Sequence, residues 1–135
     1  MTIAELQALY AEVFADWVRE LELEVRAADG DTVTLALPVR ARHVHAGGVV
    51  CGQTLMAAAD TALVLAISHK LGGFRPQTTV QLQTSFLRAV GKDVAEVVVE
   101  ARILKAGRSL VFGEVTLRLP DGQVAAHATS TSALL

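Results

Sequence analysis

The sequence is short of aromatics, of charge and of cysteine, and each shortage narrows what the chain can be. Four Phe, one Tyr and one Trp supply all its aromatic side chains, so a pocket built from this sequence is mostly aliphatic. Charged residues make up only 19% against 52% hydrophobic, which excludes a disordered chain and implies that self-association hides some apolar surface. A net charge of −2 gives no electrostatic footprint for nucleic acid or for an anionic membrane. The lone cysteine, Cys51, excludes an internal disulfide framework and suits a reducing compartment. Glu5, Glu12 and Asp16 interrupt the N-terminal apolar pattern, which is wrong for a signal peptide. The apolar run Leu55–Ile67 is shorter than the roughly 20 residues that span a bilayer. With no linker, repeat or low-complexity segment, residues 1–135 read as one cytoplasmic domain.

The apolar residues fall into clear periods. Thr2 with Glu5 makes a capping-box pattern, and Ile3, Leu6, Tyr10, Val13, Phe14 and Trp17 then recur at helical spacing along one face. Two β-like runs, ELELEVRAA and TVTLALPV, meet at Asp29-Gly30-Asp31, a hairpin signal. After a loop with Gly47-Gly48 comes a long helix that is apolar on nearly all sides, stopped by Gly72-Gly73 and Pro76. Four β-like runs follow, TTVQLQTSFLRA, DVAEVVVEARILK, SLVFGEVTLRL and QVAAHATSTSAL, on short connections that predict antiparallel neighbours. A helix with apolar residues all round must be surrounded, and one antiparallel sheet curled about it would do so, giving an α+β architecture.

Asp60 is out of place in that helix. An ionised carboxylate is costly to bury unless it is paired, hydrogen-bonded or used. Gln53, Met56, Asp60 and Val64 share one stripe of the helix, so the acid has a polar companion on one wall of a cleft. Gly52 stands at the helix start, where a ligand can approach the backbone and free N–H groups favour an anion such as the oxyanion of a carbonyl under attack. Gly52 and Asp60 are eight residues apart, roughly 12 Å at about 1.5 Å per residue, too far for both to touch one carbonyl. If both act on one substrate, they come from two subunits.

In GGVVCGQTLMAAADTA and TTVQLQTSFLRAV the sequence resembles the hotdog-fold acyl-CoA thioesterases, in particular the phenylacetate-pathway, PaaI-like branch, and the order of elements agrees over nearly the whole chain. The resemblance implies a five- or six-stranded sheet wrapped around a helix at about residues 52–71, with an N-terminal helix, in a homodimer that is often doubled to a tetramer. It implies thioester hydrolysis with acyl-CoA as substrate and no further cofactor. On the family's spacing Asp60 falls on the catalytic acid, as general base or nucleophile, and Gly52 on the N–H that polarises the carbonyl. Thr79 falls where a hydroxyl helps to place the attacking water. His45, Cys51 and Gln53 stand where the common motif has Asn, His and Gly, a departure that bears on substrate choice.

The remaining residues each have a plain reading beside the functional one. His43, His45 and Cys51 match no familiar zinc spacing, and no metal is expected. His45 is a candidate for positioning substrate. Cys51 is a packing residue at the helix start unless it is a nucleophile activated by His45. Met56 and Val80 line the cleft, Val80 alternating with Leu82 and Phe86 on one strand face, as core or acyl pocket. Arg88 and Arg108, with Lys92 and Lys105, lie at strand ends where they could meet coenzyme A phosphates or simply face water. A hydroxyacyl-thioester dehydratase is the enzymatic alternative, and a non-catalytic acyl-CoA sensor is the alternative from another class.

Overall fold

Thr2 starts the first helix, α1 (Ile3–Val13), as its spacing from Glu5 predicts. Its hydroxyl accepts the Glu5 N–H at 3.1 Å, and the Glu5 carboxylate accepts the Thr2 N–H at 2.7 Å. A computed structural model describes all 135 residues. The helix does not continue to Trp17, contrary to its apolar spacing. Phe14 leaves it with extended backbone, and a separate turn, α2 (Asp16–Arg19), follows. Tyr10 accounts for the break: its hydroxyl donates to the Val18 carbonyl at 2.7 Å and accepts the Leu23 N–H at 3.4 Å. The chain is thereby drawn back to bury Leu21 and Leu23, and Trp17 is left 62% exposed instead of on a core face.

The strands β1 (Glu24–Asp29) and β2 (Thr32–Pro38) form the expected hairpin, with Gly30 at φ +58°, a conformation that costs glycine nothing. A single turn of 3-10 helix (Ala41–His43) leads to α3 (Gly52–Leu71), and the chain finishes with β3 (Gln77–Phe86), β4 (Glu96–Ala106), β5 (Leu110–Arg118) and β6 (Val124–Leu134). All six strands belong to one antiparallel sheet of order β1-β2-β4-β5-β6-β3. The last four strands are therefore not neighbours in simple succession. β3 pairs with β6, not with β4, because the segment after it is tied elsewhere. The N–H groups of Leu87 and Arg88 both reach the Ala125 carbonyl, and the Val90 carbonyl accepts from Val50. That crossing carries the chain past β6 and β5 before β4 begins.

The sheet wraps α3. Ala58, Ala59, Ala62, Leu65 and Ala66 on the helix are buried against Val33, Leu35, Val97, Val99, Val115 and Leu117 of the strands. Its twenty residues are long and apolar enough to cross a membrane, yet most of them are buried in the fold, where α3 is the core helix. Small residues let the layers close up: a Cβ built on Gly113 would stand 2.6 Å from Leu63 Cδ2 and 3.2 Å from the Arg102 carbonyl. On the opposite face of the sheet Glu114 receives Arg102 and His127, and these two partners hold its carboxyl below the usual range.

The two edges of the sheet differ. At the head of β1, Gln7 of α1 donates to the Leu23 carbonyl at 3.0 Å and accepts the Val25 N–H at 2.8 Å, and the exposed side chains Glu24, Arg26 and Asp29 along the strand are charged. The free side of β3 has no such cover, and Val80, Phe86 and Leu87 stand exposed along it and just beyond it.

Candidate active site

The uncovered side of α3 is the stripe singled out by its sequence. Between Gly52 and Ser68 the sheet and α1 bury nearly everything except Gln53, Met56, Ala57, Asp60 and Val64. These positions recur at helical spacing, so they form one continuous face, bordered by β3 at Asp60 and by α2 at Gln53. Asp60 lies half-buried midway along it and accepts a hydrogen bond from the Thr79 hydroxyl at 2.7 Å. The strand thus holds the acid's side chain in one orientation while leaving its second oxygen free.

A bulge makes that contact possible. The register of β3 against β6 runs Thr79 to Ser132 and then Gln81 to Thr131, leaving Val80 without an opposite number. Thr79 and Phe86 are seven apart, an odd spacing that sends side chains to opposite faces of a regular strand. The extra residue resets the alternation. Thr79, Leu82 and Phe86 all face α3, whereas Val80 is 62% exposed. The expected common face of Val80, Leu82 and Phe86 is corrected accordingly: Val80 is the bulge residue and lines no pocket within the chain.

At the other end of the stripe, Gly52 begins α3 and its N–H is among those with no acceptor inside the helix. Phe86 packs over it so closely that a Cβ there would stand 3.2 Å from the ring. Gly52, Leu55, Phe86, Arg88 and Val90 line a groove of about 360 Å3. The structure therefore makes two groupings, Asp60 with Thr79 and Gly52 with Phe86 and Arg88, at opposite ends of β3.

The other predicted residues are dispersed. Gln53 faces away from that groove, into a second cleft of about 230 Å3 with Trp17, His43 and Thr54. His45 is exposed, and its Nδ1 accepts the Gly47 N–H at 2.8 Å, which leaves the proton of the neutral ring on Nε2. Cys51 precedes α3, its N–H bound to the His43 carbonyl and its Sγ 3.1 Å from the Thr54 hydroxyl; no histidine reaches it. Burial pushes the His43 imidazole below the ordinary histidine range, so it stands neutral at pH 7. His43, His45 and Cys51 do not converge as a ligand set. Arg108 sits in the exposed turn between β4 and β5, at the far end of the sheet from Arg88, so the two cations do not share a mouth within one chain. Phe86, expected as core or acyl-pocket lining, packs over Gly52 and lines its groove. Trp17 is the residue whose place beside the first turn of α3 the spacing missed, and nothing local signals it.

The thioesterase superfamily model matches residues 47–126, which hold all of α3 and β3 and extend into β6. The chain belongs to the thioesterase superfamily. No curated protein matches it. Among solved structures, the conserved protein PA5202 from Pseudomonas aeruginosa is similar at 28% identity and a TM-score of 0.83, over 93% of this chain and 98% of that one. Thioesterase HI1161 from Haemophilus influenzae superposes with a TM-score of 0.88 at 22% identity, over 100% and 91%. The E. coli PaaI protein from the phenylacetic acid degradation operon gives 0.84 at 16%, over 98% and 91%. The last two likenesses establish the hotdog fold, with its sheet around a central helix.

Proposed function

We propose that this member of the superfamily hydrolyses acyl-CoA thioesters, in the manner of the PaaI-like branch, at sites completed by two copies of the chain. The observation that carries the reading is the Thr79–Asp60 hydrogen bond on the one uncovered face of α3, beside the open edge of β3. An uncovered apolar sheet edge is a template for pairing, and β1, capped at its head by Gln7 and carrying exposed Glu24, Arg26 and Asp29, is less suited to it than β3. Two β3 strands meeting antiparallel about a twofold axis bring the Thr79 end of one against the Phe86 end of the other. The acid of one protomer then approaches the helix start of its partner, which answers the separation of roughly 12 Å along α3. A dimer of such dimers is the larger assembly we favour.

The chemistry follows from the groups so placed. Water attacks the thioester carbonyl carbon while Asp60 takes its proton; the alternative is direct attack by the carboxylate, followed by hydrolysis of the anhydride. The developing oxyanion faces the Gly52 N–H and the positive end of α3, which stabilise charge that the ground state lacks. Collapse breaks the carbon–sulfur bond and releases the coenzyme A thiolate and a carboxylic acid. Thr79 steadies Asp60 and the water, His45 offers its Nε2–H to the substrate, and Arg88 meets a phosphate. The reaction needs water and a carboxylate and calls on no cofactor. With its single cysteine the protein suits the cytoplasm.

Thiol release from a panel of acyl- and aryl-CoA thioesters, by wild type and by Asp60→Asn, tests the reading. Turnover in the wild type should fall at least about a thousandfold in the variant with the dimer intact, as expected when the group that handles the proton is lost. Undiminished turnover in Asp60→Asn removes the acid from the mechanism. Tight acyl-CoA binding without turnover in the wild type identifies a sensor instead.

A further inference from the structure

The buried side-chain polar atoms that lack a hydrogen-bond partner lie on one seam of the fold. They belong to Gln77, Thr84 and Ser130, all on the paired strands β3 and β6. Gln77 is the most exacting of the three, because both ends of its amide, Oε1 and Nε2, are buried and unbonded. A desolvated amide with no partner is costly, and such a group in a native fold calls for an explanation. Register puts this one next to the candidate acid. Gln77 is opposite Leu134 and Thr79 is opposite Ser132, so the two stand two residues apart on the inward face, ahead of the bulge at Val80. β3 runs antiparallel to α3, with Phe86 over Gly52 and Thr79 on Asp60, so Gln77 falls one helical turn further along the same stripe, at the level of Val64. Two strand residues advance about 6.6 Å and one turn of helix about 5.4 Å, a step that a glutamine side chain leaning back toward Thr79 spans.

We propose that Gln77 is a positioning residue for Asp60: its Nε2–H turns to donate to the Asp60 Oδ2, so that Thr79 and Gln77 hold the carboxylate by both oxygens. The part it plays in turnover rests on the thioesterase reading. Asp60 is the only carboxylate of α3, and Thr79 occupies its Oδ1 alone. The hydroxyls that α3 carries nearby, Thr61 and Ser68, already donate to the Ala57 and Val64 carbonyls of their own helix. A second copy paired along β3 covers the stripe, and Gln77 is then the donor that replaces solvent at Oδ2. A carboxylate held from both sides keeps its remaining lone pairs pointed one way, toward the water or the carbonyl carbon it serves. In a seam screened from solvent such a bond is stronger than in water.

The contact can be read without any turnover. The chain has six glutamines and no asparagine, so a 15N-labelled sample shows six side-chain amide pairs, and Gln77→Met assigns one of them by its disappearance. Asp60→Ala should move the Gln77 pair more than any of the other five, and Val64→Ala, which alters only the packing at its level, should leave it nearly in place. A Gln77 pair that ignores Asp60→Ala, or that responds equally to both variants, overturns the proposal. Kinetics supply the second readout. Gln77→Met, close to glutamine in length and free of polar ends, should lower kcat at least about tenfold, the worth of one hydrogen bond to a charged group, with KM changed less than about twofold. Gln77→Glu keeps the length but not the donor and should lose at least as much. A Gln77→Met protein with a raised urea midpoint and undiminished kcat would show an orphan amide with no part in the reaction. A wild type that releases no thiol from any thioester sinks the hydrolase reading, and the amide resonance then decides the Gln77–Asp60 contact by itself.

Discussion

Gly113 stands where the core helix comes closest to the sheet. Its hydrogen in place of a methyl admits Leu63, a side chain 2% exposed that has no free space to retreat into. Gly113→Ala should therefore destabilise the fold by about 1–3 kcal/mol, the usual cost of overpacking a filled core, although alanine is the easier strand residue. Urea unfolding measures it, and the double variant Leu63→Val, Gly113→Ala separates the clash from other effects. If the methyl collides with Leu63 the two substitutions will not add, and the pair will recover part of the loss. An unchanged urea midpoint in the single variant would show that β5 simply moves away. Glycine inside an apolar alternating run is a known sign of close approach, but its partner lies fifty positions earlier. No local pattern could have named Leu63.

Elements with strong local signals were legible. The capping box at Thr2, the hairpin at Gly30 and the end of α3 at Gly72, φ +77°, each follow from side-chain or glycine chemistry confined to a few residues. Elements set by distant contacts were not. α1 stops because Tyr10 bonds to residues up to thirteen positions on, and β3 shifts its alternation at Val80 because of pairing with β6. The same division governs what can be altered at the helix start. Gly52 occupies the first position of α3, where proline is tolerated since the N–H it lacks has no acceptor in the helix, and Cys51 before it already has the extended backbone that a following proline requires. Gly52→Pro thus deletes one donor and keeps the helix, at the cost of nudging Phe86, whose ring is half exposed and free to shift. We expect kcat to fall about 10²–10³-fold, as for loss of one oxyanion donor, with the circular dichroism spectrum retained. Gly52→Ala keeps the N–H and meets the same ring, so it isolates the packing effect. Equal kinetics for the two variants would mean that the N–H does no electrostatic work.

At the scale of the molecule, one sheet edge is charged and capped at its head by Gln7, the other is apolar and uncovered, and the candidate groups are divided between the two ends of the uncovered strand. The sequence could place Asp60 in a cleft and Gly52 at a helix start because each is read from its own few neighbours. It could not show that both border the same edge strand, since that depends on β3 leaving its sequence neighbour β4 for β6. The arrangement makes a strict demand on the assembly. If a site takes Gly52 from one protomer and Asp60 from its partner, then Gly52→Pro and Asp60→Asn chains, each inactive alone, complement each other when mixed. Random pairing makes half the dimers mixed, and each mixed dimer has one site with both groups intact and one with neither, so about a quarter of wild-type activity should return. Refolding the two variants together and measuring thiol release against the unmixed controls decides the matter. If both groups served from the same chain, every site in every mixed dimer would still lack one of them, and the mixture would stay as inactive as its parts.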